Sequence, residues 1–160
     1  GMAAMDVDED GNLDVVLNSN DYGTEVMQGR YDAMNGLVLK GDGKGNFKPL
    51  SILQSGIFIP GNGKALVGLQ SHNGKYLLAA SQNKGPLKIF ELNRKVSFIP
   101  LNTFDESVII TYKNGENQKQ EVGYGSSFLS QSGRFLLVNS KMKSVAITNN
   151  AGKVRVIDLQ

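Results

Sequence analysis

The sequence predicts an all-β protein, and three features of its 160 residues carry that prediction. Short runs rich in β-branched and aromatic residues recur along the chain. The 19 glycines, against 4 prolines, favour tight turns between these runs. No window keeps the apolar spacing that an amphipathic helix requires. The runs predicted as strands are 15–17, 36–40, 65–69, 76–80, 87–92, 107–112, 118–122, 134–138, 144–148 and 154–159.

Two hairpins are predicted in the C-terminal part, because tight turns separate 107–112 from 118–122 and 144–148 from 154–159. The pair Asn114-Gly115 lies between 107–112 and 118–122, and an Asn-Gly pair favours the tight turn of a hairpin. A second turn, ending in Gly152, separates the last two runs in the same way. The C-terminal part is therefore predicted to form a small antiparallel β-sandwich or partial barrel.

The first part of the chain contains an internal repeat. Residues 11–20 align with residues 74–83 when the chain is shifted by 63 positions. In both copies a polar turn precedes a strand, and a connection then leads to another strand. The connection of the first copy, 21–35, is the longer one and is rich in polar and aromatic residues. Each copy is predicted as one repeat unit.

The repeat is lost after about residue 93, which places a domain boundary at 93–103. We predict two repeat units in 4–92, the second one decayed, and a separate β-domain in 103–160. A net charge of +2 argues against a nucleic-acid partner. The absence of cysteine excludes disulfides and thiolate metal sites. No apolar run approaches the roughly 20 residues of a membrane span, so we expect no membrane insertion.

The segment 6–14 has the spacing of a calcium-binding loop. Asp6, Asp8, Asp10 and Asp14 occupy positions 1, 3, 5 and 9, and a glycine at position 6 permits a positive-φ turn. The backbone carbonyl of Asn12 can add a further oxygen, and oxygen ligands of this number suit Ca²⁺. An EF-hand is not expected, because a β-run follows the loop and position 12 is not Glu. The alternative is an acidic turn without an ion.

These residues resemble a known family. The pattern Asp-x-Asp-x-Asp-Gly-x-x-Asp at 6–14, followed by Val-Val-Leu, is similar to the FG-GAP/VCBS repeat of integrin-like β-propellers. The turn at 41–47 resembles the end of such repeats, and 106–157 resembles an ASPIC/UnbV region. The resemblance implies propeller-blade-like units and Ca²⁺ as the cofactor. It carries the family's ligands over to five positions: Asp6, Asp8, Asp10, Asn12 through its carbonyl, and Asp14.

No catalytic residues are predicted, and we expect a protein that is not an enzyme. His72 is the only histidine and has no chemical partner close in sequence, so we interpret it as an exposed turn residue. The serines of 126–132 lack a Gly-x-Ser-x-Gly elbow, and their hydroxyls are expected to bond to their own loop. Arg30 is expected to form a salt bridge with Asp32 or Asp21; alternatively, it forms a ligand-facing patch with Tyr31.

The functional expectation is a calcium-stabilised binding or adhesion module on the extracytoplasmic side, either secreted, periplasmic or on the cell surface. Gly1 before Met2 indicates a residue left by cloning, so we expect a fragment of a larger repeat protein, able to form a homodimer through open sheet edges. The partner is expected to be an extracellular protein or a glycan. The alternative is an accessory carbohydrate-binding domain of a surface polysaccharide-processing or nutrient-uptake system, in which Tyr22, Tyr31 and Tyr124 stack on sugars.

Overall fold

A computed structural model describes residues 1–159 and confirms the all-β prediction. Strands hold 47% of the residues and helix 3%, and every strand pairing is antiparallel. The elements are β1 (Met2–Met5), β2 (Asp14–Leu17), β3 (Leu37–Gly41), β4 (Phe47–Leu50), α1 (Ile52–Ser55), β5 (Gly63–Gln70), β6 (Tyr76–Gln82), β7 (Lys88–Glu91), β8 (Ser97–Pro100), β9 (Asp105–Tyr112), β10 (Asn117–Glu121), β11 (Phe135–Val138), β12 (Met142–Asn149) and β13 (Val154–Asp158). No helix among residues 1–159 is long and apolar enough to cross a membrane.

The chain folds into two compact units. Unit 1 comprises Gly1–Arg94 and Gly125–Gly133, and unit 2 comprises Lys95–Tyr124 and the chain from Arg134 onward. The segment Gly125–Gly133 therefore belongs to unit 1, although strands of unit 2 precede and follow it in the sequence.

Unit 1 contains two antiparallel meanders, one of four strands and one of three. The first has the strand order β1-β2-β3-β4, and the second has the order β5-β6-β7. Strand β6 contains the residues 63 positions after β2, and the side-chain amide of Asn18 donates to the carbonyl of Ser81, its counterpart, at 3.0 Å. Val16 in the first meander and Leu66 in the second are fully buried, because alternate side chains of each strand face the core.

Unit 2 is a two-layer sandwich. A four-stranded sheet in the order β10-β9-β12-β13 faces a two-stranded sheet of β8 and β11. The two predicted hairpins are present, since β9 pairs with β10 and β12 pairs with β13. Its core holds the inward side chains of both sheets: Ile99, Val108, Ile110, Tyr112, Leu136, Met142, Val145 and Ile147.

Three strands and one short helix were not predicted from the sequence. Strand β1 is Met-Ala-Ala-Met, which lacks β-branched residues, and β4 contains Pro49. Strand β8 lies in the segment that was interpreted as a domain boundary. The four-residue helix α1 is stabilised by the caps at its two ends. Ser51 and Gln54 form a capping box at its start, and Gly56 ends it with φ 71°.

Candidate functional site

The acidic loop 6–14 connects β1 to β2 at one end of the first meander. Met5 and Asp14 face each other as the last pair of the two strands, so the loop closes a hairpin. Its backbone turns sharply at Glu9, with φ 62°, and at Gly11, with φ 90°. Glycine takes such a conformation at little cost, which accounts for the residue type at position 11.

Three of the predicted ligands converge in this loop. Carboxylate oxygens of Asp6, Asp8 and Asp14 all lie within 4.8 Å of one another. Like charges this close repel, and a cation between them relieves the repulsion. Carboxylate oxygens are the ligands that Ca²⁺ and Mg²⁺ take in proteins. The residues present therefore fit a hard divalent cation.

Asp14 is held rigidly within this group. Its side chain is 1% exposed, and its two carboxylate oxygens accept the backbone N–H groups of Val7 and Gly41, both at 2.9 Å. Burial raises the pKa of Asp14 and the nearby charge of Asp8 adds to this, while the two N–H donors oppose it. The side chain thus joins the loop to the end of β3.

Asp10 stands apart from the three converging carboxylates. One of its oxygens accepts the backbone N–H of Asn12 at 2.8 Å, and the other lies 3.3 Å from the ammonium of Lys40. Lys40, on β3, also contacts Asp8. The hydrogen bonds that its ammonium donates to these two carboxylates raise the pKa of Lys40. The roles of Asp10 and of the Asn12 carbonyl as metal ligands stay predictions.

Arg94 contacts the loop from the end of the continuous part of unit 1. Its guanidinium pairs with Glu9 and donates to the backbone carbonyl of Asp6 at 2.9 Å. Sequence reasoning did not find Arg94 or Lys40, since both lie far along the chain from the residues they contact.

The second copy of the turn contains no carboxylate. The backbone N–H of Lys75 donates to the hydroxyl of Ser71 at 3.0 Å, and that hydroxyl also contacts the side chain of Asn73. Gly74 takes φ 76°. The turn is therefore closed by neutral hydrogen bonds, and His72 is an exposed member of it.

The long connection 21–35 is held together by its own polar contacts. Asp21 and Tyr31 exchange two backbone hydrogen bonds, of 3.0 and 2.7 Å. Of the two expected salt bridges, Arg30 forms the one with Asp32, at 2.7 Å, while Asp21 pairs with Lys64 instead.

The side chain of Tyr22 joins this network. Its hydroxyl lies 2.5 Å from a carboxylate oxygen of Asp32, and the guanidinium of Arg30 lies 4.9 Å from the centre of its ring. The hydrogen bond from Tyr22, and then the charge of Arg30, lower the pKa of Asp32. The connection is an ordered loop, and the side chain of Tyr31 is 56% exposed on it.

The serine-rich segment Gly125–Gly133 bonds both within itself and to strands elsewhere in unit 1. The hydroxyl of Ser130 accepts the backbone N–H of Leu66 at 3.0 Å, and that of Ser132 accepts the N–H of Gly68 at 3.0 Å. Ser127 accepts the N–H of Met2 at 2.7 Å. The expected bonds to their own loop are present for Ser126 and Ser130, and hydroxyls of the segment also satisfy free donors on β1 and β5.

Tyr124 belongs to unit 2. The guanidinium of Arg134 lies 4.3 Å from the centre of its ring, and its hydroxyl donates to the carbonyl of Thr103 at 2.8 Å. One face of the ring is thus covered by a cation of the same unit.

Comparison with known proteins gives no match: no family model fits the chain, and no curated protein is significantly similar to it. Any functional conclusion therefore depends on the residues themselves.

Proposed function

We propose that this protein is a non-enzymatic, calcium-stabilised binding module that works on the extracytoplasmic side. The observation that supports it most is the convergence of Asp6, Asp8 and Asp14 in one hairpin loop. These three carboxylates would hold the ion, with Asp10 and the carbonyl of Asn12 as further oxygen donors. Extracellular calcium is abundant enough to fill even a site of millimolar affinity.

The role of the ion would be structural. When bound, it supplies positive charge between carboxylates that otherwise repel one another. Asp14 connects this charge to the sheet, because its carboxylate accepts the N–H of Gly41 at the end of β3. Strands β2 and β3 carry the two ends of the connection 21–35. An ion bound in the loop would therefore make strands β2 and β3 more rigid, and with them the two ends of the connection 21–35.

The binding face would include the connection 21–35. Its tip exposes Val26 and Met27 almost completely, at 99% and 98%. Large apolar side chains that are this exposed are available to a partner. The proposal keeps the FG-GAP/VCBS-like interpretation for unit 1 and the ASPIC/UnbV-like interpretation for the C-terminal β-domain, and with them a larger repeat protein as the context.

A calcium titration tests the proposal. Calorimetry and thermal melting should detect Ca²⁺ binding, and at a calcium concentration 100 times Kd the stability should rise by about 2.7 kcal/mol. The variant Asp8→Asn should lose most of this effect. Glu25→Gln is the matched control, because it removes one carboxylate of unit 1 that lies outside the loop. No heat and no melting shift in the unchanged protein would refute calcium binding.

A further inference from the structure

Unit 1 has an open cleft beside the connection 21–35, with a volume of about 520 Å³. This volume lies in the range of small-molecule sites, roughly 300–1,000 Å³. Its walls come from three parts of unit 1: the start of the connection, the segment before β5, and the turn between β6 and β7. The lining residues used below are Tyr22, Pro60, Asn62, Asn83, Lys84 and Lys88.

The walls of the cleft are tied to one another. Gln82 bridges two of them, since its side-chain oxygen accepts the N–H of Gly61 at 2.6 Å and its amide donates to the carbonyl of Pro86 at 2.8 Å. The N–H of Asn83 donates to the carbonyl of Asn62 at 2.8 Å. A site whose walls are already fixed loses less entropy when a ligand binds.

The cleft contains amide groups that lack partners. Asn62 is 4% exposed, and its side-chain oxygen is buried without a hydrogen-bond partner within residues 1–159. An unpaired buried acceptor costs about 1–3 kcal/mol, which is why such groups are rare in folded proteins. The amide of Asn83, at the exposed side, also has no hydrogen bond in the described part of the chain. The exposed amide of Asn83 is open to sugar hydroxyls, and the buried oxygen of Asn62 is an acceptor that a donor entering from the cleft would satisfy.

Two lysines give the cleft a local positive charge. Neither Lys84 nor Lys88 has an ion pair within residues 1–159. Asp21 and Asp32, on the connection beside the cleft, are already paired with Lys64 and Arg30. The cleft therefore attracts an anion, even though the net charge of the whole chain is only +2.

The tight turn between β6 and β7 holds Lys84 in an unusual backbone conformation. This residue takes φ 56°, a left-handed conformation that costs a non-glycine residue roughly 1–2 kcal/mol. Glycine would adopt it without this cost. The turn thus fixes the backbone of Lys84 where this residue lines the cleft.

We propose that this cleft binds an anionic sugar residue, one that carries a carboxylate or a sulfate. Lys84 and Lys88 receive the anion, and Asn62 and Asn83 bond to ring hydroxyls. The flat apolar surfaces of Tyr22 and Pro60 receive the C–H face of the sugar ring. This inference rests on the proposed function as a binding module, and it names the class of ligand.

The test is a calorimetric titration with a trisaccharide of galacturonic acid and with its methyl ester, which is neutral but otherwise matched. Each titration is run in EDTA and again in Ca²⁺. The free acid should bind and the ester should bind at least ten times more weakly. A sulfated trisaccharide determines whether the anion is a carboxylate or a sulfate, and binding of either supports the proposal. Equal binding of the ester, of inorganic phosphate or of ATP would overturn it.

Variants locate the site. Lys84→Gly and Lys88→Gln should each weaken binding of the acid at least tenfold, and Lys84→Gly should melt no lower than the unchanged protein, because it relieves the left-handed strain. Lys48→Gln, an exposed lysine on β4, is the control and should bind within twofold. Full affinity in Lys84→Gly and Lys88→Gln would overturn the assignment. Loss of sugar binding with an intact calcium response, or the reverse, shows which of the two proposals fails.

Discussion

The ammonium of Lys40 lies 3.3 Å from a carboxylate oxygen of Asp10, across the gap between β3 and the acidic loop. The same ammonium contacts Asp8, one of the three converging carboxylates. Strand β3 thus supplies a cation to the loop, next to two of the predicted ligands. A bound metal ion has to share these carboxylates with Lys40 or displace it.

Replacing Lys40 tests this competition. Lys40→Gln should strengthen Ca²⁺ binding modestly, since the competing ion pair is open to solvent and such pairs contribute little. In EDTA the same variant should melt at a slightly lower temperature, because the loop loses its own counter-charge. Calorimetry at low ionic strength measures the first effect. Lys75→Gln, which breaks the pair with Glu91, is the control. Weaker calcium binding in Lys40→Gln would contradict competition.

Asp14 should matter for folding even without an ion. Asp14→Ala removes the acceptor of two backbone N–H groups, those of Val7 and Gly41. An unsatisfied buried donor costs about 1–3 kcal/mol, and the hydrogen bond of Gly41 is buried while that of Val7 is half-buried, so we expect a loss of about 2–4 kcal/mol in EDTA. Urea unfolding measures it. Asp8→Ala, at an exposed side chain, should cost less than about 1 kcal/mol. Equal losses in the two variants would show that the buried position has no special role.

The ion pair between Asp105 and Arg155 should make unit 2 sensitive to acid. Asp105 is 2% exposed, and its two oxygens accept hydrogen bonds from the two terminal guanidinium nitrogens of Arg155, at 2.7 and 2.6 Å. These hydrogen bonds lower the pKa of Asp105 in the folded state. Because the folded pKa lies below the unfolded one, the pair stabilises the fold above about pH 4 and is lost as the pH falls further.

Urea midpoints measured between pH 6 and pH 2 test this directly. The unchanged protein should lose stability steeply below pH 4. Asp105→Asn should be less stable than the unchanged protein at pH 6, but its stability should fall less as the pH is lowered. Glu121→Gln breaks an exposed pair with Lys119 and should follow the unchanged protein. If the urea midpoints of the unchanged protein and of Asp105→Asn fell in parallel with pH, this ion pair would not contribute to acid unfolding.

The hydroxyl of Ser130 should protect the edge of β5. Ser130→Ala leaves the buried N–H of Leu66 without its acceptor, and we expect a loss of about 1–3 kcal/mol. Hydrogen exchange should be faster at the Leu66 amide in particular. Ser126→Ala is the control, since its hydroxyl bonds only within the segment Gly125–Gly133. Unchanged exchange at Leu66 would show that the segment does not secure this edge.

The strands and hairpins could largely be predicted because their signals are local. The run 107–112 is rich in β-branched residues and precedes an Asn-Gly turn, and the structure has β9 and its hairpin there. Strand β1 could not be found in this way. Its Met-Ala-Ala-Met sequence has no strand preference of its own, and it is a strand because the backbone of β2 is available to pair with it.

The acidic loop shows the same difference between what local sequence determines and what the tertiary structure determines. The sequence by itself determined that Asp6, Asp8 and Asp14 can converge, since nine consecutive residues with a glycine turn suffice for that. Only the tertiary structure decided that Lys40 and the N–H of Gly41 face these carboxylates, because that requires β3 to be the strand next to β2. The tertiary structure also formed the cleft, because the connection 21–35, the segment before β5 and the turn between β6 and β7 meet there only in the folded chain. The geometry of a short loop follows from residues adjacent in the sequence, whereas the surroundings of a site depend on which distant strands pair with each other.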